Sequence, residues 1–208
     1  AFITSEFFKK LADIRPTIVI TGNHDTNLNN TSRLDALTPI IKNLNHSQLH
    51  YLKDSGVYNF GNVHFTVFSI FEEPSEYIKA DSFEADTKIA LFHGPVKSSK
   101  TDIGFEVTGE EYTSDLFNGY HLSLLGDIHK RQYVDKEKTI CYPGSLIQQN
   151  FGEAFEKHGY AIWDVKTRKP KFFDIPNNYG FYTIDIKDGK LPNIDNIPKY
   201  PRVRLRTT

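Results

Sequence analysis

The chain has no methionine and a single cysteine, Cys141. One cysteine excludes an internal disulfide framework, so the fold must be held by its packing, and the composition fits a reducing, cytoplasmic compartment. Cys141 lies in the apolar run Thr139-Ile140-Cys141-Tyr142, where a thiol behaves as a small buried hydrophobe rather than a nucleophile. No apolar run approaches the ~20 residues that a membrane-spanning helix needs, and no signal peptide is visible. Charge of one sign is missing too. Lys and Arg number 25 against 26 Asp and Glu, which removes a global basic field as a means of attracting nucleic acid. Any nucleic-acid surface must therefore be a local patch. Internal repeats and low-complexity tracts are absent, and 208 residues suffice for one sizeable core with part of a second unit.

What is present is a series of short apolar runs that end in polar residues. Thr17-Ile18-Val19-Ile20 leads into Thr21-Gly22-Asn23-His24-Asp25. Lys88-Ile89-Ala90-Leu91-Phe92 ends in His93-Gly94, and Tyr120-His121-Leu122-Ser123-Leu124-Leu125 ends in Gly126-Asp127-Ile128-His129. Each run reads as a buried strand, and in open α/β sheets ligands collect at the carboxyl ends of strands. Residues two apart in an extended segment point the same way, so Asp127 and His129 can face one site while Ile128 faces the core. Asn, His, Asp and His make an N/O donor set suited to Mn, Fe or Zn. For the first stretch alone, a polar turn closed by an Asx bond is an equally good reading.

Taken together with Tyr142-Pro143-Gly144-Ser145, these motifs resemble the second half of a calcineurin-like metallophosphoesterase. The tail Ser145-Leu146-Ile147-Gln148-Gln149-Asn150-Phe151-Gly152-Glu153, followed by His158-Gly159-Tyr160, is similar to the SbcD-type DNA repair exonucleases and the phage recombination endonuclease subunit. The likeness runs from about Thr17 to about Val165. It implies an α/β fold, a four-layer αββα sandwich, with residues 1–175 as the later part of the core and 176–208 as the start of a small capping, DNA-recognition domain. It also implies two divalent metal ions, commonly Mn. Asn23 and His93 would bind the second metal. Asp127, which stands where many nuclease members carry histidine, is assigned to that same metal, and His129 to the first. His24 would be catalytic, contacting the scissile phosphate and protonating the leaving oxygen, a role that suits a group titrating near neutrality. Asp25 would fix the turn, and Gly144 and Ser145 would shape a strand exit.

Two motifs of that family, Asp-x-His and Gly-Asp-x-x-Asp, have no counterpart before Thr17, where the chain has only Asp13 and no histidine. With the opening at Ala1, this reads as a fragment truncated at both ends, whose isolated form would lack hydrolytic activity. The resemblance further implies duplex DNA as substrate, an SbcC-type coiled-coil ATPase as partner in double-strand-break repair, and a possible homodimer, with no membrane association. Lys97 and Lys100 follow His93, and Lys130 and Arg131 follow the Asp127 motif, so these four residues are candidate phosphate contacts. A solvated charged loop is the plain alternative, and Asp135 and Glu137 dilute the second cluster. A small-substrate phosphoesterase and a non-catalytic, partner-binding scaffold are the competing readings of function.

The remaining pattern predicts an amphipathic helix over Phe2–Ile14, a helix from an Ser32 N-cap to about Leu44 with Pro39 disturbing it, and a helix near Glu110–Phe117. It predicts strands near 48–52, 56–60 and 62–70 with a Gly61-Asn62 hairpin, and a run of strands after 130. Trp163 reads as core. His46, His50, His64, His121 and His158 read as structural histidines.

Overall fold

The computed structural model describes residues 1–155 and 157–207. Helix α1 (Phe2–Ile14) leads to β1 (Thr17–Ile20), α2 (Leu37–Leu44), β2 (Leu49–Leu52), β3 (Gly56–Phe60) and β4 (Val63–Phe68). There follow β5 (Thr87–His93), β6 (Leu122–Gly126), β7 (Gln132–Tyr133), β8 (Ile140–Tyr142), β9 (Gly159–Asp164), β10 (Lys169–Asp174), β11 (Tyr179–Ile186) and β12 (Tyr200–Thr207). The fold is mixed α/β, with few helices around a central six-stranded sheet of order β3-β4-β5-β6-β8-β7. Strands β4, β5, β6 and β8 run parallel, while β3 and β7 are antiparallel edges. The β3–β4 hairpin turns at Gly61, whose φ of 68° needs no Cβ penalty.

Strand β5 shows why the sheet is buried on both sides. Ala90 and Phe92 join Phe68, Tyr77, Phe117 and Tyr142 on one face, while Ile89 and Leu91 join Val67, Leu122 and Leu52 on the other. A strand covered on both faces reads as a continuous apolar run, as this one does. The first face is sealed by aromatic stacking of Phe68 on Tyr77, with ring centroids 4.6 Å apart. On the second face Ile18 and Ile20 of β1 and the half-buried Trp163 of β9 pack down as a further layer. Strand β1 pairs in parallel with β2, so the Asn23 turn reaches the site from a different layer than His93 and Asp127.

Two sequence expectations change. Helix α2 begins at Leu37 rather than after Ser32, because Asp35 takes the cap role, accepting from the backbone N–H of Leu37 at 3.0 Å and of Thr38 at 2.7 Å. Ser32 instead donates to Asn30. The segment 110–117 contains only a 3₁₀ turn, Ser114–Phe117. The Tyr112 carbonyl there accepts from Lys97 N–H at 2.7 Å, so its backbone is committed across the loop and cannot feed a helical ladder. Strands β11 and β12 form a parallel ribbon at the end of the described chain, within the expected second unit, of which Thr208 lies outside the described residues.

Candidate metal centre

Three segments carry the predicted site residues to one edge of the central sheet. Strand β1 delivers the first. Thr21 is buried, and its hydroxyl donates to Tyr51 Oη at 2.7 Å, since the Tyr51 proton is already given to Asp35 Oδ1 at 3.0 Å. Burial acts to raise the Asp35 carboxyl, but bonds from the Thr38 hydroxyl and backbone N–H, Lys53 and Tyr51 outweigh it and hold Asp35 well below the usual carboxylate range. The turn is thus tied through Tyr51 to a fully satisfied buried acid. Within the turn, Gly22 N–H donates to Asp25 Oδ2 at 2.9 Å. Asp25 closes the turn, leaving Asn23 and His24 to project from it.

The second and third segments are the ends of β5 and β6, in register with His93 opposite Gly126. The His93 imidazole lies between two backbones that have no side chain to offer. A Cβ on Gly22 would stand 2.9 Å from His93 Cε1, and one on Gly126 would stand 2.8 Å from Nδ1. The motif glycines therefore make room for this ring. Beyond β5, Tyr142 Oη donates to Gly94 O at 2.6 Å and accepts from Val96 N–H at 2.9 Å, which pins the loop that follows His93.

These constraints bring three donors together. His93 Nε2 lies 3.2 Å from Asn23 Oδ1, although the residues are 70 apart in sequence. The Asn23 amide donates to Asp127 Oδ1 at 3.2 Å, and His93 Nε2 lies 3.7 Å from the same oxygen. Burial pushes the His93 imidazole down from its ordinary pKa, with the Asp127 carboxylate opposing. Asp127 has φ 98°, a conformation that disfavours any side chain and costs on the order of 1–3 kcal/mol. Backbone strain of this kind gathers at functional sites, where it re-aims a side chain.

The trio fits a divalent cation by spacing and chemistry. Bonds of about 2.0–2.2 Å put neighbouring donors roughly 3.0–3.6 Å apart, close to the separations seen here. One imidazole, one amide oxygen and one carboxylate are an N/O set of intermediate softness. Among the described residues no group of three or more His, Cys, Asp or Glu converges, so the third donor is the neutral amide of Asn23. His129 stands apart from the trio. Its Nδ1 is bonded to Glu153 Oε1 at 2.9 Å, and for the first of the two expected metals it is the one ligand predicted within this chain.

His24, His93, Asp127, His129 and Glu153 line one open cavity of about 590 Å³, together with the exposed Ile103. None of the five histidines read as structural lines it. The basic candidates follow His93 and His129 in sequence but do not line the cavity, and three of them already face acids. Lys97 meets Glu110 at 2.6 Å, Lys100 meets Glu106 at 3.4 Å, and Arg131 meets Asp174 at 2.6 Å. Arg131 also lies over the Phe172 ring at 4.6 Å, so it fastens β10 to the loop after the site. Sequence reasoning missed Glu153, Asp35 and Tyr51, whose contacts to His129, Lys53 and Thr21 are long-range and made only by the fold. It read Cys141 correctly: the thiol is buried, which pushes its pKa up to about 12.

No model of a known protein family matches the chain. Over 214 residues it is 45% identical to an uncharacterized protein, R555, of Acanthamoeba polyphaga mimivirus. That alignment takes in 98% of the chain but 16% of R555, so the chain spans about one sixth of the length of this relative. A solved crystal structure superposes on 80% of the chain and 69% of its own length, with a TM-score of 0.50 and 16% identity. This is a likeness of fold, consistent with a mixed α/β architecture. No helix among the described residues is long and apolar enough to cross a membrane.

Proposed function

We propose that the chain forms the later part of a calcineurin-like metallophosphoesterase core, the four-layer sandwich of that family, and that the protein hydrolyses phosphodiesters in DNA as an SbcD-like nuclease partnered by a coiled-coil ATPase. The observation that carries this reading is the convergence of Asn23, His93 and Asp127 within 3.7 Å at the ends of separate strands. Asn23, His93 and Asp127 would hold one divalent cation, Mn in the first instance, and His129 would contribute to a second. Such ions supply Lewis acidity toward a phosphoryl oxygen. The chain's own residues do the rest. Gly22 and Gly126 hold the His93 ring in one orientation. His24 is exposed at the cavity and would give a proton to the leaving oxygen of a bound phosphodiester. Asp127 adds a negative charge that histidine would not, which lowers the net positive field on the substrate.

A small phosphodiester is the second reading, and it is favoured by the acids that already face Lys97, Lys100 and Arg131. Calorimetric titration with Mn²⁺ tests the metal reading. His93→Ala should abolish the binding isotherm, whereas His24→Ala should leave it intact and, in the protein that contains the whole core, abolish hydrolysis. Equal loss of Mn²⁺ binding in both variants would overturn the assignment of His24. Undiminished binding in His93→Ala would overturn the centre itself. Duplex DNA and a nitrophenyl phosphodiester, compared over a salt series, separate the two substrate readings.

A further inference from the structure

Glu153 is a charged residue type in a place where charge is expensive. Its side chain is 5% exposed, yet among the described residues it pairs with no lysine or arginine. Oε1 accepts from the Asn150 amide at 2.6 Å, and Oε2 accepts from Gln149 N–H at 2.8 Å. Its third partner is His129 Nδ1, 2.9 Å from Oε1. A carboxylate that accepts on both oxygens offers nothing for a ring nitrogen to accept, so Nδ1 must carry the hydrogen of the neutral imidazole. The lone pair is then on Nε2. The ring is 44% exposed and lines the cavity, and Nε2 has no hydrogen-bond partner among the described residues. Meanwhile the His129 carbonyl accepts from Ser145 N–H at 3.1 Å, which fixes the backbone beneath the ring.

We propose that Glu153 is a positioning residue for His129: it selects the Nδ1–H tautomer and presents the Nε2 lone pair to the cavity as a ligand. The proposal rests on the metal reading of His129 and adds the residue that makes it competent. Carboxylates behind ligating histidines act in this way, and their loss costs about 10–100-fold in metal affinity or activity. The glutamate also explains the shape of the loop. Asn150 and Gln149 bend around its two oxygens, and Gln148, itself buried, donates to the Glu153 carbonyl at 2.9 Å and to the Phe181 carbonyl at 3.1 Å. The loop is thereby strung between His129 and β11.

The test reads the tautomer directly. Long-range ¹H–¹⁵N correlation spectra are recorded on the metal-free 208-residue protein at about pH 8, above the ordinary histidine pKa of ~6.5. The His129 signals are assigned by their disappearance in His129→Gln. The wild type should show Nδ1–H as the dominant form. Glu153→Ala, which removes the acceptor altogether, should shift His129 toward Nε2–H. Asn150→Ala loosens the same loop but keeps the carboxylate, and should leave the tautomer unchanged. Glu153→Asp should restore Nδ1–H in part. An Nε2–H wild type would overturn the proposal even if no variant folds, and so would an unshifted tautomer in a folded Glu153→Ala. Because no metal is present, these outcomes are independent of the Mn²⁺ titrations. A shifted tautomer alongside failed Mn²⁺ binding would sink the phosphodiesterase reading and leave the Glu153 assignment standing.

Discussion

The strand-end trio and its rim of basic residues, which follow the strand ends in sequence, are built on opposite principles. Asn23, His93 and Asp127 are polar groups held without freedom by strand ends, two bare glycine backbones and a buried hydrogen-bond chain. Lys97 and Lys100 are long side chains on a loop, half-exposed or exposed, each resting on a neighbouring acid. The first arrangement constrains where the His93 ring can sit. The second holds charge loosely, because exposed ion pairs are worth only about 0–1 kcal/mol and exchange partners readily. Geometry is the contribution of the strand ends, and adjustable charge is that of the rim.

The sharpest way to break this contrast is to fill the space beside His93. In Gly22→Ala the new methyl would stand 2.9 Å from the ring, so the imidazole must move. Mn²⁺ affinity should fall by about 100-fold, roughly 3 kcal/mol, in a calorimetric titration, with little loss of helix or sheet signal. Retained affinity would mean that the ring is not held as tightly as its neighbours imply. Asp127→Gly gives a smaller effect with opposite signs in two measurements. Relief of the φ 98° strain should raise thermal stability by about 1 kcal/mol, while loss of the carboxylate weakens Mn²⁺ binding. A destabilised glycine variant would show that Asp127 contributes more through its contacts than it costs in strain. The smallest change belongs to the rim. Replacing Lys97 and Lys100 together with Ala should alter stability by less than about 0.5 kcal/mol, yet flatten the log–log salt dependence of duplex binding by about two units if both leave their acids for phosphates. An unchanged slope would assign both lysines to Glu110 and Glu106 alone.

The same contrast explains what was legible in the sequence. Apolar runs that stop at Gly22, His93 and Gly126 announce strand ends, because burial on both faces demands continuous hydrophobicity. Asp25 was readable as a turn residue, since its partner is three positions away. Glu153 was not, because it reads as one more acid in a polar tail until the fold brings His129 to it from 24 residues back. Arg131 misleads in the opposite direction. It sits beside the motif and suggests an external phosphate, but its acid is Asp174, 43 residues on. The helix expected over 110–117 failed because a backbone pairing between Lys97 and Tyr112 captured a carbonyl that local propensity had reserved for the helix. In each case the unreadable part depends on a contact distant in sequence.

The distance between the donors also sets when the site can exist. Asn23 and Asp127 are 104 residues apart and join through different layers of the molecule. Closing so long a loop is entropically unfavourable until the strands between them have paired. While the chain is being synthesised, the Asn23 turn emerges long before β6 is available to meet it. No early intermediate can therefore gather the three donors. If the proposed centre binds Mn²⁺, the ion added during refolding should stabilise the product without accelerating its formation.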